Sequence, residues 1–110
     1  MTEVLTKNFR KVRTSVRKLI IVLFMAKAPV RKATEATLKR EVNNKREVLA
    51  ERLLELRMNA DLSQARLAEI AGVDRKTINR IENGHFSPAL DTIVRLSVAL
   101  GITPSTLLSK

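Results

Sequence analysis

The amino-acid sequence predicts an all-α protein, with a basic and helical N-terminal extension ahead of a small helical domain. Aromatic residues are scarce, with three Phe and no Trp or Tyr, so the core has to consist of Leu, Ile, Val and Ala. Gly and Pro number three each, fewer than a turn-rich β-sheet protein uses. Apolar residues recur every three or four positions, which is the period of helices that are buried on one face.

Charge divides the chain into two parts. Residues 1–46 contain thirteen Lys or Arg and three Glu, a net charge of +10, whereas residues 47–110 contain eight basic and eight acidic residues. We therefore expect an extension over residues 1–46 and a domain over residues 47–110. A basic segment is typical of proteins that bind nucleic acid or an anionic membrane surface, although a solubilising tail has the same composition.

The residue inventory offers little for catalysis or metal binding. The absence of cysteine excludes disulfides, thiolate metal ligands and cysteine nucleophiles, and His85 is the single histidine. The sequence also contains no Gly-rich phosphate loop. We expect no catalytic residue, no metal site and no cofactor, and therefore not an enzyme.

Residues 4–26 have the pattern of a basic amphipathic helix. Apolar residues at spacings of 4, 3, 4, 3 and 4 fall on one helical face. The end of this segment, Leu19–Ala26, is apolar throughout and fits either a helix turn or a buried strand, and it is too short to span a bilayer as a helix. The members of the stripe are Leu5, Phe9, Val12, Val16, Leu19 and Leu23.

The same segment has features of a secretory signal. A basic start and a short apolar run precede Ala26-Lys27-Ala28, which has the small-residue spacing of a cleavage site. The charge of Lys27 and the proline at position 29 disfavour cleavage there. Met25 is an alternative start of the chain.

Residues 33–59 are rich in strong helix formers and are predicted to be helical. The weak helix formers Asn43 and Asn44 leave open whether this segment is one helix or two. From Val48 onward, one apolar face is clear. Its members are Leu49, Leu53 and Leu56, with Ala50 and Leu54 at its edges.

Two short helices joined by a tight turn are predicted over residues 63–71 and 74–82. Ser63 and Asp74 are good N-caps for them. Gly72 is placed to end the first helix in a left-handed conformation, where glycine has no side-chain penalty.

The turn between these helices is so short that they have to cross steeply. The small side chain of Ala68 permits the close approach that this requires. Ile78 and Ile81 are expected to pack inward, opposite Leu67 and Ile70. The outer face of the second helix then carries Arg75, Lys76, Asn79 and Arg80.

Two further helices complete the predicted domain. One runs over residues 90–100 and ends at Gly101, and a last short helix starts at Thr103-Pro104, because proline is tolerated at the first helical position. The apolar residues expected to be buried here are Ile93, Val94, Leu96, Leu100, Leu107 and Leu108.

The stretch from Ser63 to Gly84 resembles the helix-turn-helix of the lambda-repressor and Cro-like (XRE) DNA-binding proteins. The resemblance extends from about Val48 to Leu108, including Asp91-Thr92-Ile93 and Ala99-Leu100-Gly101-Ile102, and does not cover residues 1–46. The matching positions in the motif are Gln64, Ala68, Gly72, Ile78, Ile81 and Glu82-Asn83-Gly84.

The resemblance implies a five-helix lambda-repressor-like domain, whose recognition helix, residues 74–82, enters the major groove of double-stranded DNA. Arg75, Lys76 and Arg80 then hold the base-reading positions, where Arg or Lys suits the two acceptor atoms of guanine. Without the surrounding motif, these cations would be assigned to a solvated helix face. Arg57 and Glu82 match a structural ion pair. The residues at supporting or phosphate-contacting positions are Gln64, Arg66, Thr77, Asn79, Asn83 and His85.

Two positions depart from the family pattern. Arg66 stands near the place where relatives have the Glu or Gln of a capping box, so we expect it to face phosphate. Ala89 stands where relatives have a capping Ser or Thr. We expect Ser87 to take over that role.

The function implied is a sequence-specific transcriptional regulator, most simply a repressor that binds a palindromic operator as a homodimer. The alternative is the antitoxin of a toxin–antitoxin pair, which would regulate its own gene through the same helices. Both would act in the cytoplasm, at the nucleoid. Residues 1–46 are expected to add sequence-independent affinity for DNA or to bind a protein partner.

Overall fold

The computed structural model describes residues 14–25 and 30–110, and these residues form six helices and no strand. The chain divides into two compact units, residues 1–32 and 33–110, and the second unit contains five of the helices. The predicted all-α class and five-helix domain are therefore confirmed. The helices are α1 (Thr14–Met25), α2 (Glu35–Asn59), α3 (Gln64–Ala71), α4 (Arg75–Glu82), α5 (Leu90–Leu100) and α6 (Pro104–Leu107).

Helix α1 is the described element of the first unit. It includes most of the apolar run that begins at Leu19, so that run is helical and not a strand. Its apolar side chains from Val16 to Leu23 are all exposed. The predicted stripe positions Leu5, Phe9 and Val12, like the signal-like residues 26–29, lie outside the described residues. Among the described helices, none is long and apolar enough to cross a membrane.

Helix α2 is one continuous helix of 25 residues, which settles the question left open at Asn43-Asn44. It begins at the N-cap Thr34, whose side chain accepts a hydrogen bond from the backbone N–H of Thr37. The boundary predicted between residues 46 and 47 falls inside this helix. The charge composition changes at this position, but the backbone stays helical on both sides of it. Asn43 and Asn44 do not interrupt the helix either, because two asparagines in an otherwise strong helix-forming sequence cost too little to break it.

The core of the second unit forms where all five of its helices converge. Leu53, Leu67, Leu96 and Leu107 each have no exposed surface, and they come from four different helices. Fully burying one such side chain stabilises the fold by about 1.5–3 kcal/mol. The core is aliphatic, as predicted, with Phe86 packed against its edge.

The junction between α3 and α4 has the predicted caps. The Ser63 side chain accepts from the backbone N–H of Arg66, and the Asp74 side chain accepts from that of Lys76. Gly72 has a φ of 70°, a left-handed conformation in which a side chain would add strain. Ala68 is buried between the helices and holds the short turn, because its carbonyl accepts from the N–H of Val73.

Two predicted core residues are wrong. Ile70 is 48% exposed and Val94 is 41% exposed. Each lies one residue from a buried neighbour, Ala71 and Ile93, and one residue is a rotation of about 100° around a helix axis. In short helices, this rotation is enough to carry the side chain off the buried face. Leu100, also predicted to be buried, is half-buried.

The predicted cap of α5 is also wrong. Ala89 occupies the N-cap position, and no side chain caps the helix. The Ser87 hydroxyl instead accepts a hydrogen bond from Nε of Arg46, at 2.8 Å. The hydroxyl therefore connects the loop after α4 to the middle of α2. Helix α6 begins as predicted, with Thr103 as N-cap and Pro104 in its first turn.

Two adjacent leucines of α2, one buried and one exposed, are predicted to contribute very differently to stability. Leu53→Ala should lower the free energy of unfolding by about 2–5 kcal/mol, because it leaves a cavity among helices that cannot close around it. Leu54 is 44% exposed, and Leu54→Ala should change stability by less than about 0.5 kcal/mol. Urea unfolding followed by circular dichroism measures both, and similar losses would contradict the described packing.

Candidate nucleic-acid interface

Helix α4 presents three cations on the side opposite its buried face. Ile78 and Ile81 are buried in the core and fix the orientation of this helix. Arg75, Lys76 and Arg80 are exposed. Within the described part of the chain, the structure records no hydrogen bond or ion pair for these three side chains. Their donor groups are therefore available to an external acceptor.

A buried ion pair attaches α4 to α2. Nε of Arg57 donates to Oε1 of Glu82 at 2.7 Å, and Nη2 of Arg57 donates to Oε2 at 3.3 Å. The third donor, Nη1, contacts the carbonyl of Leu62 at 2.7 Å, where α2 has ended. Both charged side chains are about nine-tenths buried. A bidentate pair of this kind constrains both the distance and the angle between the two helices.

Gln64 extends this ion pair to the first residue of α3. Its amide nitrogen donates to Oε2 of Glu82, so one carboxylate holds both α2 and α3. Its amide oxygen accepts from Nδ2 of Asn79 at 3.4 Å. Asn79 in turn accepts from Nδ2 of Asn83, at 3.2 Å. These five side chains, Arg57, Glu82, Gln64, Asn79 and Asn83, are called the polar chain below.

The polar chain runs from the protein interior to the exposed face of α4. It begins at a buried guanidinium and ends at Asn79 and Asn83, which are both exposed. Each hydrogen bond restricts the rotamer of the next side chain. Asn79 is therefore oriented before any ligand arrives, whereas its neighbour Arg80 is not.

Three of the predicted site residues, Thr77, His85 and Arg66, are not part of the polar chain. Thr77 is half-buried on α4, and His85 is exposed in the loop that follows. Arg66 was expected to face phosphate, but its guanidinium pairs with Glu69 one turn later, at 3.1 Å. Both members of that pair are mostly exposed, so the contact is weak and exchangeable.

Sequence reasoning missed the contact between Gln64 and Glu82. They are 18 residues apart, and no local pattern links them. The contact between Asn79 and Asn83 did have a local signal, since side chains four residues apart in a helix are neighbours.

The described residues hold no group of three or more His, Cys, Asp or Glu side chains placed to bind a metal ion. The exposed face of α4 offers hydrogen-bond donors from amides and cations. It suits a ligand that is anionic and rich in acceptor atoms.

Comparison with known proteins gives consistent matches to the second unit. A helix-turn-helix family model matches residues 53–107, half of the chain. The HTH-type transcriptional regulator PuuR of Escherichia coli is 37% identical over 59 residues, which are 54% of this chain and 32% of that protein. The chain thus spans about a third of the length of this curated relative.

Two solved structures are similar to this one. The restriction-modification controller protein C.AhdI from Aeromonas hydrophila has a TM-score of 0.54 and 37% identity, over 56% of this chain and 94% of that chain. A hypothetical transcription factor from Neisseria, NHTF, has a TM-score of 0.57 and 33% identity, over 61% of this chain and 75% of that chain.

The polar chain predicts that Glu82 matters more for stability than an exposed glutamate in an ion pair. Glu82→Gln leaves the Arg57 guanidinium buried without a counter-charge and should lower the free energy of unfolding by about 3–5 kcal/mol. Glu69→Gln, which breaks the exposed pair with Arg66, should cost at most about 1 kcal/mol. Equal effects in chemical denaturation would show that the buried pair does not constrain the fold.

Proposed function

The chain belongs to the helix-turn-helix family of lambda-repressor and Cro-like (XRE) proteins, and on that basis we propose that it is a sequence-specific DNA-binding transcriptional regulator. The observation that carries the proposal is the set of three exposed cations on α4 that have no partner among the described residues, on a helix held in place by buried isoleucines and a buried ion pair. In its simplest form, the protein is a repressor that binds a palindromic operator as a homodimer.

In this proposal α4 lies in the major groove of double-stranded DNA. An α-helix with its side chains is about 10–12 Å in diameter, which matches the width of that groove. Arg75, Lys76 and Arg80 contact base edges, where the paired acceptors O6 and N7 of guanine suit their donors. Sequence preference then depends on three side chains within two turns of one helix.

Two amide side chains of the polar chain position the protein on the DNA backbone. Asn83 and Gln64 contact phosphates, and Arg66, Thr77 and His85 support the same strand. Asn79 is already held by Gln64, so it presents a fixed amide beside Arg80. Phosphate contacts of this kind set the register of the helix but do not distinguish sequences.

The extension supplies affinity that does not depend on sequence. The domain over residues 47–110 has no net charge, whereas residues 1–46 carry +10. Cations in the extension release counterions from any DNA that the protein meets. A DNA-bound regulator of this kind resides in the cytoplasm, on the nucleoid.

A protein partner is the second proposed role of the extension. Helix α1 exposes its apolar side chains from Val16 to Leu23, and exposed apolar residues grouped together are typical of interaction sites. If that partner is a toxin, the protein is an antitoxin that also regulates its own gene. We expect one small protein to co-purify in stoichiometric amount with the full chain. Deleting residues 14–25 should abolish this co-purification.

Removing one base-reading cation should weaken specific binding selectively. For an operator selected from random DNA, we expect Arg75→Ala or Arg80→Ala to cost about 1–3 kcal/mol, roughly a 5- to 150-fold rise in Kd. Affinity for unrelated DNA should fall far less. Lys110→Ala removes the same charge beside Glu47 and Glu51 and is the matched control. Fluorescence anisotropy with both DNAs measures the ratio, and the proposal fails if Arg75→Ala, Arg80→Ala and Lys110→Ala reduce specific binding equally.

Deleting residues 1–32 should reduce the salt dependence of DNA binding while keeping the sequence preference. These residues contain nine Lys or Arg and one Glu, and the deletion leaves α2 whole. The slope of log K against log salt concentration should become shallower by about 0.9 for each phosphate contact that is lost. An unchanged slope would exclude this role for residues 1–32.

A further inference from the structure

Helix α1 is apolar around its whole circumference over its last two turns. From Leu19 to its end at Met25, it contains no polar residue. The side chains from Leu19 to Leu23 are each between 42% and 64% exposed. Successive residues of a helix are rotated by about 100°, so five consecutive side chains point in every direction around the axis. This part of α1, called the apolar run below, therefore has no polar face.

An apolar surface on every side restricts what can cover the apolar run. A helix that packs on one neighbouring protein surface has an apolar face and a polar face, whereas a helix that is apolar all round is enclosed. Exposed apolar residues that are grouped together are typical of interaction sites. The occupant expected here is one that surrounds the helix and does not only touch one face.

The sequence around the apolar run is strongly basic. Residues 1–32 contain nine Lys or Arg and one Glu, a net charge of +8. Lys18 directly precedes the run and is exposed, and Lys27 follows the run in the sequence. A Lys or Arg near an anionic membrane surface contributes about 1 kcal/mol of attraction. Cations at both ends of an apolar run therefore match a surface in which anionic headgroups cover acyl chains.

The dimensions of α1 fit the interfacial layer of a bilayer and not its full thickness. Its 12 residues extend over about 18 Å, whereas the hydrocarbon core is about 30 Å thick. Interfacial helices lie about 5–10 Å deep at the boundary between headgroups and acyl chains. A helix is itself about 10–12 Å across, so one that lies along the surface at this depth is covered on nearly all sides. Long lysine side chains extend from such a position to the headgroups.

We propose that α1 binds the surface of a membrane that contains anionic lipids, and that the apolar run inserts among the acyl chains. Charge brings the basic residues to the headgroups, and burial of the apolar run then holds the helix in place. The inference goes beyond the regulator proposed above and stands without it, because it uses no residue of the second unit.

The first test removes apolar surface from the full-length protein and keeps its charge. Leu19→Ser and Leu23→Ser are combined in one variant, whose net charge stays +10. The unmutated protein should co-sediment with vesicles of phosphatidylcholine and phosphatidylglycerol, and more weakly with phosphatidylcholine alone. The double variant should need at least about ten-fold more of the mixed lipid for half-binding, because two buried leucines are lost.

The matched control makes the same change in the second unit. Leu90 and Val98 are 73% and 75% exposed, and Leu90→Ser combined with Val98→Ser should leave the lipid requirement within two-fold of the unmutated protein. Circular dichroism without lipid verifies that both variants are folded. Equal weakening by the two double variants would overturn the proposal.

A single tryptophan reports where the apolar run lies. The chain contains no Trp, so Leu23→Trp introduces the only indole, and Leu90→Trp does the same in the second unit. With the mixed vesicles, the emission of Leu23→Trp should shift to shorter wavelength and be quenched by lipids brominated on their acyl chains. The emission of Leu90→Trp should show neither effect.

Each other occupant of α1 gives a different result, and each overturns the proposal. Adsorption by charge alone would leave vesicle binding unchanged in the Leu19→Ser and Leu23→Ser variant and the Leu23→Trp emission unquenched. A protein partner would co-purify with the full chain and be lost in the same variant, while the vesicles remain unbound. Self-association through α1 would appear in sedimentation velocity as a larger species that this variant abolishes, again without vesicle binding.

Discussion

The buried contact between Arg57 and Glu82 is the interaction on which the arrangement of the second unit depends. One carboxylate accepts hydrogen bonds from the end of α2 and from the first residue of α3, and it belongs to the last residue of α4. Aliphatic packing alone would let these short helices slide or rotate, because leucine and isoleucine contacts are not directional. A bidentate ion pair is directional. The ion pair therefore fixes the angle between α2 and α4, which aliphatic packing alone would leave variable.

That constraint also connects the interior to the outer surface. The same carboxylate orients Gln64, and Gln64 orients Asn79. The contact between Arg57 and Glu82 is buried and is therefore stronger than it would be in water, whereas the hydrogen bonds of Asn79 to Gln64 and Asn83 are exposed to solvent. The exposed face of α4 therefore combines two kinds of side chain. Asn79 is hydrogen-bonded to its neighbours, whereas no other described residue bonds to the side chains of Arg75, Lys76 and Arg80.

The helix ends and the motif could be predicted from sequence because they depend on neighbouring residues. Ser63, Gly72 and Asp74 act within four residues of their own position, and the structure has each of them in the expected role. Ile70 and Val94 could not be placed in this way. On helices of 8 and 11 residues, two adjacent apolar positions fit the helical period about equally well. Which one is buried depends on the neighbouring helix, and a one-dimensional pattern does not contain that information.

Contacts between residues that are distant in sequence could not be predicted from local patterns either. Ser87 was expected to cap α5, since a hydroxyl ahead of an uncapped helix usually has that role. Its partner proved to be Arg46, 41 residues earlier in the chain. The continuity of α2 was undecided for a different reason. Two asparagines weaken a helix by only a fraction of a kcal/mol each, so propensity could not separate one helix from two.

The free cations of α4 have a consequence for the thermodynamics of association. A long side chain that becomes fixed loses up to about 2 kcal/mol of rotational freedom, and α4 has three such side chains without a partner in residues 14–25 and 30–110. A ligand would break no ion pair of these cations within the described part of the chain, and it would have to order all three side chains. Asn79 has already lost much of its freedom on folding. Asn79 and Arg80 therefore differ in a way that calorimetry of ligand binding can measure. A contact to Asn79 involves a side chain that is already ordered, whereas a contact to Arg80 has to order the side chain when the ligand binds.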